Sequence, residues 1–385
     1  MITEHLLNDA ASAAVLSEWS TPAEYRIGVV TLNAPKTLNS LTLEMIDVMD
    51  PQMRAWAADE AIVAVYLRGS GDRAFCAGGD IQALYHSMQA NHDAGARVDH
   101  YAETFFEREY RLDHLIHCFP KPVLCFGTGV VMGGGLGLLS ASSHRVVTET
   151  SRVAMPEITI GLFPDAGGTA LLSSMPGSLG LYLGLTGTHI NGADALVSGL
   201  GRYLVRSEVR STLEQALVAL AWTGDADADG LALDAMLQQL DGDAVDDRPD
   251  SLLAQHRDLI DAALGCVGGD YAAAIAGVRS LPDGKWFDRG KTNLESGCPA
   301  TAGIVVEQLD RARNLSLAEM FRMELVIGTH CARNRDFAEG VRALLIDKDG
   351  APAWTVNSLD ALSRETVLGH FESPWEENPL ADLQD

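Results

Sequence analysis

A chain of 385 residues with 47% hydrophobic residues and 37 glycines can bury a sizeable core, which excludes intrinsic disorder. Its formal charge of −25 argues against nucleic acid or an anionic membrane as the main partner. A small anionic ligand stays possible, because it needs only a local basic pocket or a helix N-terminus.

Six cysteines (Cys76, Cys118, Cys125, Cys266, Cys298, Cys331) lack C-x-x-C spacing, and several sit in apolar runs as reduced core thiols do. Residues Met1 to Ser20 carry Glu4, Asp9 and Glu18 and no basic region, unlike a signal peptide. The longest apolar stretch, Val123 to Leu139, holds six glycines and is too short to cross a membrane. These features lead us to expect a soluble, cytoplasmic protein.

In chain order, Arg26 to Leu32 reads as a β-branched-rich strand, followed by the turn-like Asn33-Ala34-Pro35-Lys36. A helix is expected from Thr42 as N-cap, with Ile46, Met49, Met53 and Trp56 on one face. Ile62 to Leu67 is a buried strand, and Pro122 to Phe126 and Arg145 to Thr148 repeat the theme. This order implies an α/β fold with largely parallel, doubly covered sheets. From Ser207 to Asp250 the texture changes, and the acidic runs Gly224 to Gly230 and Asp241 to Asp250 read as loops. Helical patterns follow at Leu252 to Cys266 and Tyr271 to Val278, and Thr301 to Gly340 reads as two helices. The division expected from texture is a core over residues 1–205 and a mainly helical region over 206–385.

Two glycine motifs and two carboxylates carry the chemistry. Phe75-Cys76-Ala77-Gly78-Gly79-Asp80 can be a turn with Asp80 as helix N-cap, or can aim the Gly79 N–H at a ligand oxygen. Gly133-Gly134-Gly135 can serve close helix packing, or can supply a second amide. An oxyanion hole needs two convergent amides, whereas a phosphate loop is disfavoured by the absence of G-x-x-x-x-G-K-[ST] and G-x-G-x-x-G patterns. Glu157 and Asp165 each follow a proline in apolar surroundings. Either can cap a helix, at Ile158 or Ala166; either can also be a base or nucleophile whose pKa desolvation raises. Glu109 lies on an amphipathic helix, where a solvated side chain is the default. His114, His117 and Cys118 lack the further ligand and supporting shell of a zinc site, so no metal is expected. Lys36, Arg68 and Arg73 are better read as surface charges than as phosphate ligands.

Leu32 to Leu41, Phe75 to Asp80, Met132 to Gly137 and Pro156-Glu157 together resemble the crotonase (enoyl-CoA hydratase/isomerase) superfamily. That resemblance implies a ββα spiral core, and a Gly79/Gly134 oxyanion hole for the thioester oxygen of an acyl-CoA. One of the two hydratase glutamates matches Glu157, but the other falls at Gly137, and Asp165 stands where hydratases commonly have glycine. Glu109, Gly134, Glu157, Asp165 and the segment Asn334 to Asp349 are similar to 3-hydroxyisobutyryl-CoA hydrolases. The resemblance implies thioester hydrolysis in valine breakdown. Glu157 would activate water or attack directly, Asp165 would orient Glu157 or water and share its proton, and Glu109 would contact the substrate hydroxyl. It implies no cofactor beyond CoA as part of the substrate and product, and an oligomer is possible. The alternatives are an enoyl-CoA hydratase or isomerase using Glu157, and a non-catalytic acyl-CoA-binding protein.

Overall fold

The computed structural model describes residues 2–385. Its strands are β1 (Thr3–Leu6), β2 (Ala14–Ser20), β3 (Arg26–Leu32), β4 (Ile62–Gly69), β5 (Ala74–Cys76), β6 (Val123–Gly127), β7 (Val130–Met132), β8 (His144–Thr148), β9 (Arg152–Ala154), β10 (Ile190–Asn191) and β11 (Tyr203–Val205). A seven-stranded sheet runs β1-β2-β3-β4-β6-β8-β11, and a four-stranded sheet runs β10-β9-β7-β5. The β1-β2-β3 edge is antiparallel, whereas β3, β4, β6, β8 and β11 pair in parallel. Parallel pairing requires crossovers, and the helix Leu43–Ala58 makes the one from β3 to β4. Thr42 caps that helix by accepting the Met45 N–H, and Ile46, Met49, Met53 and Trp56 form its buried face, as the spacing predicts.

The chain folds into two compact units that are interleaved along the sequence. The first comprises the chain through Gly79, Leu112–Val153 and Ile190–Leu252, and contains both sheets. Its core joins Trp19, Ile27, Val29, Tyr66, Phe126 and Val146 of the large sheet to Leu213, Leu217, Trp222, Leu233 and Leu237. The expectation of loops is therefore corrected in part: the helix Ala226–Asp243 takes in most of the run Gly224 to Gly230 and the first three residues of Asp241 to Asp250. Asp225 caps it by accepting the Ala228 N–H, and acidic residues in the first turn suit the positive end of the helix dipole. Asp229 is buried because its carboxylate accepts the Thr223 N–H and hydroxyl and the Gly224 N–H.

The second unit comprises Asp80–Arg111, Ala154–His189 and Leu253–Asp385, and is mainly helical. The region expected as two helices holds three: Pro299–Ala312, Leu317–Arg333 and Arg335–Val341. Asn334 ends the second and opens the third, so one residue parts the two. Phe106, Tyr110, Phe321 and Phe337 pack as a buried aromatic cluster within this unit, with ring centroids 5.7–6.5 Å apart. Among the described residues, no helix is long and apolar enough to cross a membrane.

Candidate active site

Glycines set the geometry of the segments expected to supply the oxyanion hole, all of which lie in the first unit. Gly133 has φ +47° and ψ −127°, a backbone open to glycine alone, and it turns the chain from β7 into the helix Gly134–Ala141. Gly134 thus stands at the first helical position, where an amide has no partner within the helix and the dipole is positive. Gly135 lies against the other glycine motif: a Cβ there would sit 2.4 Å from the Cys76 carbonyl oxygen. Leu41 donates its N–H to Gly78 O at 2.8 Å, and Ala77 donates to Leu38 O at 3.0 Å. Buried Asn39 fixes the third motif by donating to Ser70 O and Ala74 O and accepting the Ala34 N–H. The segments 38–41, 76–79 and 132–135 are thereby assembled within one unit. Asp80 does cap the helix Ile81–Ala94, accepting the Ala83 N–H at 3.2 Å.

The carboxylates belong to the second unit. Glu157 opens the 3₁₀ turn Glu157–Thr159 and is 4% exposed, and it caps nothing. Its Oε2 is buried without a hydrogen-bond partner. Asp165 is equally buried and makes no side-chain cap for the helix Gly168–Ser174. Its Oδ2 accepts the Tyr110 hydroxyl at 2.7 Å. The capping alternative therefore fails for both residues. Glu109, for which solvation is the default on an amphipathic helix and which the resemblance makes a substrate contact, is 2% exposed on the helix Tyr101–His117.

Burial, then the Asp165 charge, raises Glu157 well above the ordinary carboxylate range. Burial also raises Asp165, to about 6, against the opposing Tyr110 hydrogen bond. The Asp165 charge is part of what raises Glu157, so the two titrate as a coupled pair. That arrangement suits proton transfer beside a reacting carbonyl.

Several residues that hold these carboxylates had no clear sequence signal. Tyr110 reads only as a member of an apolar face. Thr301 donates its hydroxyl to Leu162 O at 2.7 Å, and Gln308 donates to Pro164 O at 2.8 Å. Glu324 accepts the Gly167 and Thr169 amides. The available signal was Glu324 itself, a carboxylate spaced with Phe321 and Leu325 on a helix face that is otherwise apolar. The segment Asn334 to Asp349 contributes packing: Gly340 lies so close to Ile160 that a Cβ would sit 2.3 Å from the Ile160 carbonyl oxygen. Arg68, read as a solvated charge, instead pairs with Glu214 at 3.0 Å and lies over the Trp19 ring. Among the described residues, no group of three or more His, Cys, Asp or Glu side chains is disposed to hold a metal ion.

Comparison with known proteins gives a consistent result. The family model for enoyl-CoA hydratase/isomerase matches residues 27–371. The chain is 36% identical to the mitochondrial 3-hydroxyisobutyryl-CoA hydrolase of Danio rerio, over 96% of this chain and 92% of that protein. It is 35% identical to the enzyme of that name from Homo sapiens, over 90% and 86%. Among solved structures, an enoyl-CoA hydratase from Rhodobacter sphaeroides superposes with a TM-score of 0.79 at 31% identity, covering 94% of this chain and 98% of that one. A carnitinyl-CoA dehydratase from Mycobacterium thermoresistibile superposes equally well, at 35% identity over 93% and 97%. These relatives also correct the cytoplasmic expectation, since the matching hydrolases are mitochondrial enzymes. Acidic charge and cysteines read as reduced are compatible with more than one thiol-reducing compartment, so composition has no power to choose between them.

Proposed function

This chain belongs to the 3-hydroxyisobutyryl-CoA hydrolase branch of the enoyl-CoA hydratase/isomerase family, and we propose from that premise that it cleaves 3-hydroxyisobutyryl-CoA to 3-hydroxyisobutyrate and CoA. The observation that carries the reading is the buried Glu157–Asp165 pair, with one carboxylate oxygen left without a partner. A hydrolase needs a group to receive water's proton and one to supply a proton to the departing thiolate. A coupled pair of carboxyls offers both.

In this reading the Gly79 and Gly134 amides take the thioester oxygen, and they strengthen their hold as it becomes an oxyanion. Losing one such donor typically costs about 3–4 kcal/mol of barrier. Glu157 either takes the proton of an attacking water or attacks the acyl carbon itself, giving a mixed anhydride that water opens. Asp165 orients Glu157 or the water and shares its proton. Collapse of the tetrahedral intermediate breaks the C–S bond: on the water route the thiolate leaves with the proton Glu157 took from water, and on the anhydride route it leaves with a proton from Asp165, which the water that opens the anhydride restores. Glu109 reads the 3-hydroxyl. CoA enters as part of the substrate and leaves as product.

The solved hydratase and dehydratase neighbours favour a second reading, hydration of an enoyl-CoA by Glu157. Gly137 counts against it, because it has no side chain to hold water opposite Glu157. Thiol release from 3-hydroxyisobutyryl-CoA separates the two. The hydrolase reading expects rapid release by the wild type and a loss of ~10²-fold or more in Glu157→Gln. Loss of the enoyl absorbance of crotonyl-CoA with no thiol released would establish the hydratase instead.

A further inference from the structure

The groups that hold Asp165 come from distant segments of the second unit. Asp165 is followed by two left-handed residues, Ala166 at φ +52° and Gly167 at φ +80°. Alanine in that region is strained and persists only where its surroundings hold it. Glu324, wholly buried in the helix Leu317–Arg333, reaches this turn with both carboxylate oxygens. Oε2 accepts the Gly167 N–H at 2.8 Å, and Oε1 accepts the Thr169 N–H at 2.8 Å. These amides open the helix Gly168–Ser174, which has no cap from its own segment. On the other flank, Gln308 donates to Pro164 O and to the Thr169 hydroxyl oxygen. One turn beyond Glu324, Gly328 faces Tyr110: a Cβ there would lie 3.1 Å from the Tyr110 hydroxyl oxygen. Glycine at 328 thus leaves room for the hydroxyl that donates to Asp165.

We propose that Glu324 is a positioning residue for Asp165, fixing the 165–169 turn through the Gly167 and Thr169 amides while the same helix leaves Tyr110 free to orient the Asp165 carboxylate. The proposal rests on the reading that Asp165 takes part in thioester hydrolysis. Glu324 does not touch the substrate in this scheme. It differs from an ordinary helix cap in one respect: the turn it holds carries a reacting group. A cap that served folding alone would set stability and leave the proton chemistry of Asp165 untouched.

The titratable groups that face Asp165 and its turn come from three segments. Glu157 belongs to the same segment, Glu109 and Tyr110 to the helix Tyr101–His117, and Glu324 and Cys331 to the helix Leu317–Arg333. Burial raises Glu324 to about 7, and the Asp165 charge adds to that rise. The Tyr110 hydrogen bond favours the charged form of Asp165, so a displaced turn that breaks this bond should raise Asp165.

The test is thiol release from 3-hydroxyisobutyryl-CoA by the full chain, with kcat and KM followed as a function of pH. In Glu324→Gln, kcat should fall ~10-fold or more while KM stays within about three-fold, as expected when a reacting group is misplaced and binding is kept. The acidic limb of its pH profile should move up, because Asp165 leaves the Tyr110 hydroxyl that favours its charged form. In Tyr110→Phe the same limb should move up, and the double variant should move it no further. General loosening of the fold does not produce that non-additive displacement. If the wild type is active and Glu324→Gln keeps its kcat and its pH limb, Glu324 is a structural cap only and the proposal is overturned. Should Glu324→Gln fail to fold, Glu324→Asp takes its place, keeping the charge but shortening the reach by one methylene. Undiminished kcat in that folded variant overturns the proposal equally. Absence of thiol from the wild type removes the hydrolase reading first, and this inference with it.

Discussion

Glu157 and Asp165 place a cost of charge burial inside the second unit, and its sign can be worked through. Both carboxylates have folded values above the ordinary range, so folding favours their protonated forms. Their contribution to stability is full below about pH 4, the unfolded value. It is lost as pH rises through the folded values, about 6 for Asp165. Thermal unfolding should show the midpoint falling across this window, and less steeply in Asp165→Asn. Glu157→Gln removes the cost of holding this carboxyl protonated, at a side chain whose Oε2 has no partner. At neutral pH it should raise the melting midpoint by about 2–4 °C, the equivalent of ~1 kcal/mol, while abolishing thiol release. A melting point that falls instead would show that Glu157 is held charged by the fold. Activity depends on the opposite form. The rate should decline as pH drops through about 6, where the ionised member of the pair is lost.

At the scale of elements, the site segment 157–169 is a short stretch held from outside by helices. Gly161 (φ +72°) meets Asp336, and Gly340 meets Ile160, each at a distance that excludes a Cβ. Gly340→Ala should cost about 1–3 kcal/mol by overpacking, read as a lower midpoint in urea. It should also lower kcat, because the backbone it displaces leads into the Glu157 turn. Unchanged stability with normal turnover would show that the close approach relaxes freely. These elements also mark what the sequence discloses. The Thr42 cap and the face Ile46, Met49, Met53, Trp56 are legible because every determinant lies within sixteen residues. The glycine motifs are legible because their backbone needs are local. The helix Ala226–Asp243 was missed because aspartates suit both loops and helix starts, and only the packing of Leu233 and Leu237 on the sheet decides between them. Burial of Glu109, and the hold of Glu324 on Gly167 across 157 positions, depend on tertiary packing that no local pattern announces.

The whole molecule is strongly acidic, with 53 Asp and Glu against 28 Lys and Arg, and its proposed substrate is a polyanion. Long-range repulsion should slow their encounter at low ionic strength, where the screening length is about 30 Å, and fade at physiological salt, where it is about 8 Å. KM for the acyl-CoA should therefore fall as salt is raised over that range. A KM that rises instead would reveal local cations strong enough to outweigh the overall field. The interleaving of the units, with 206–252 in the first and 253–385 in the second, also shows why texture alone suggested one cut along the chain. The dependence of the Asp165 turn on Thr301, Gln308, Glu324 and Gly340 has a temporal side. A ribosome adding roughly 5–20 residues per second needs about ten to thirty seconds to pass from residue 169 to residue 340. Until that interval ends the nascent chain holds its reactive carboxylates without the full set of these supports. Activity should therefore switch on late in translation, when most of the polypeptide has already been made.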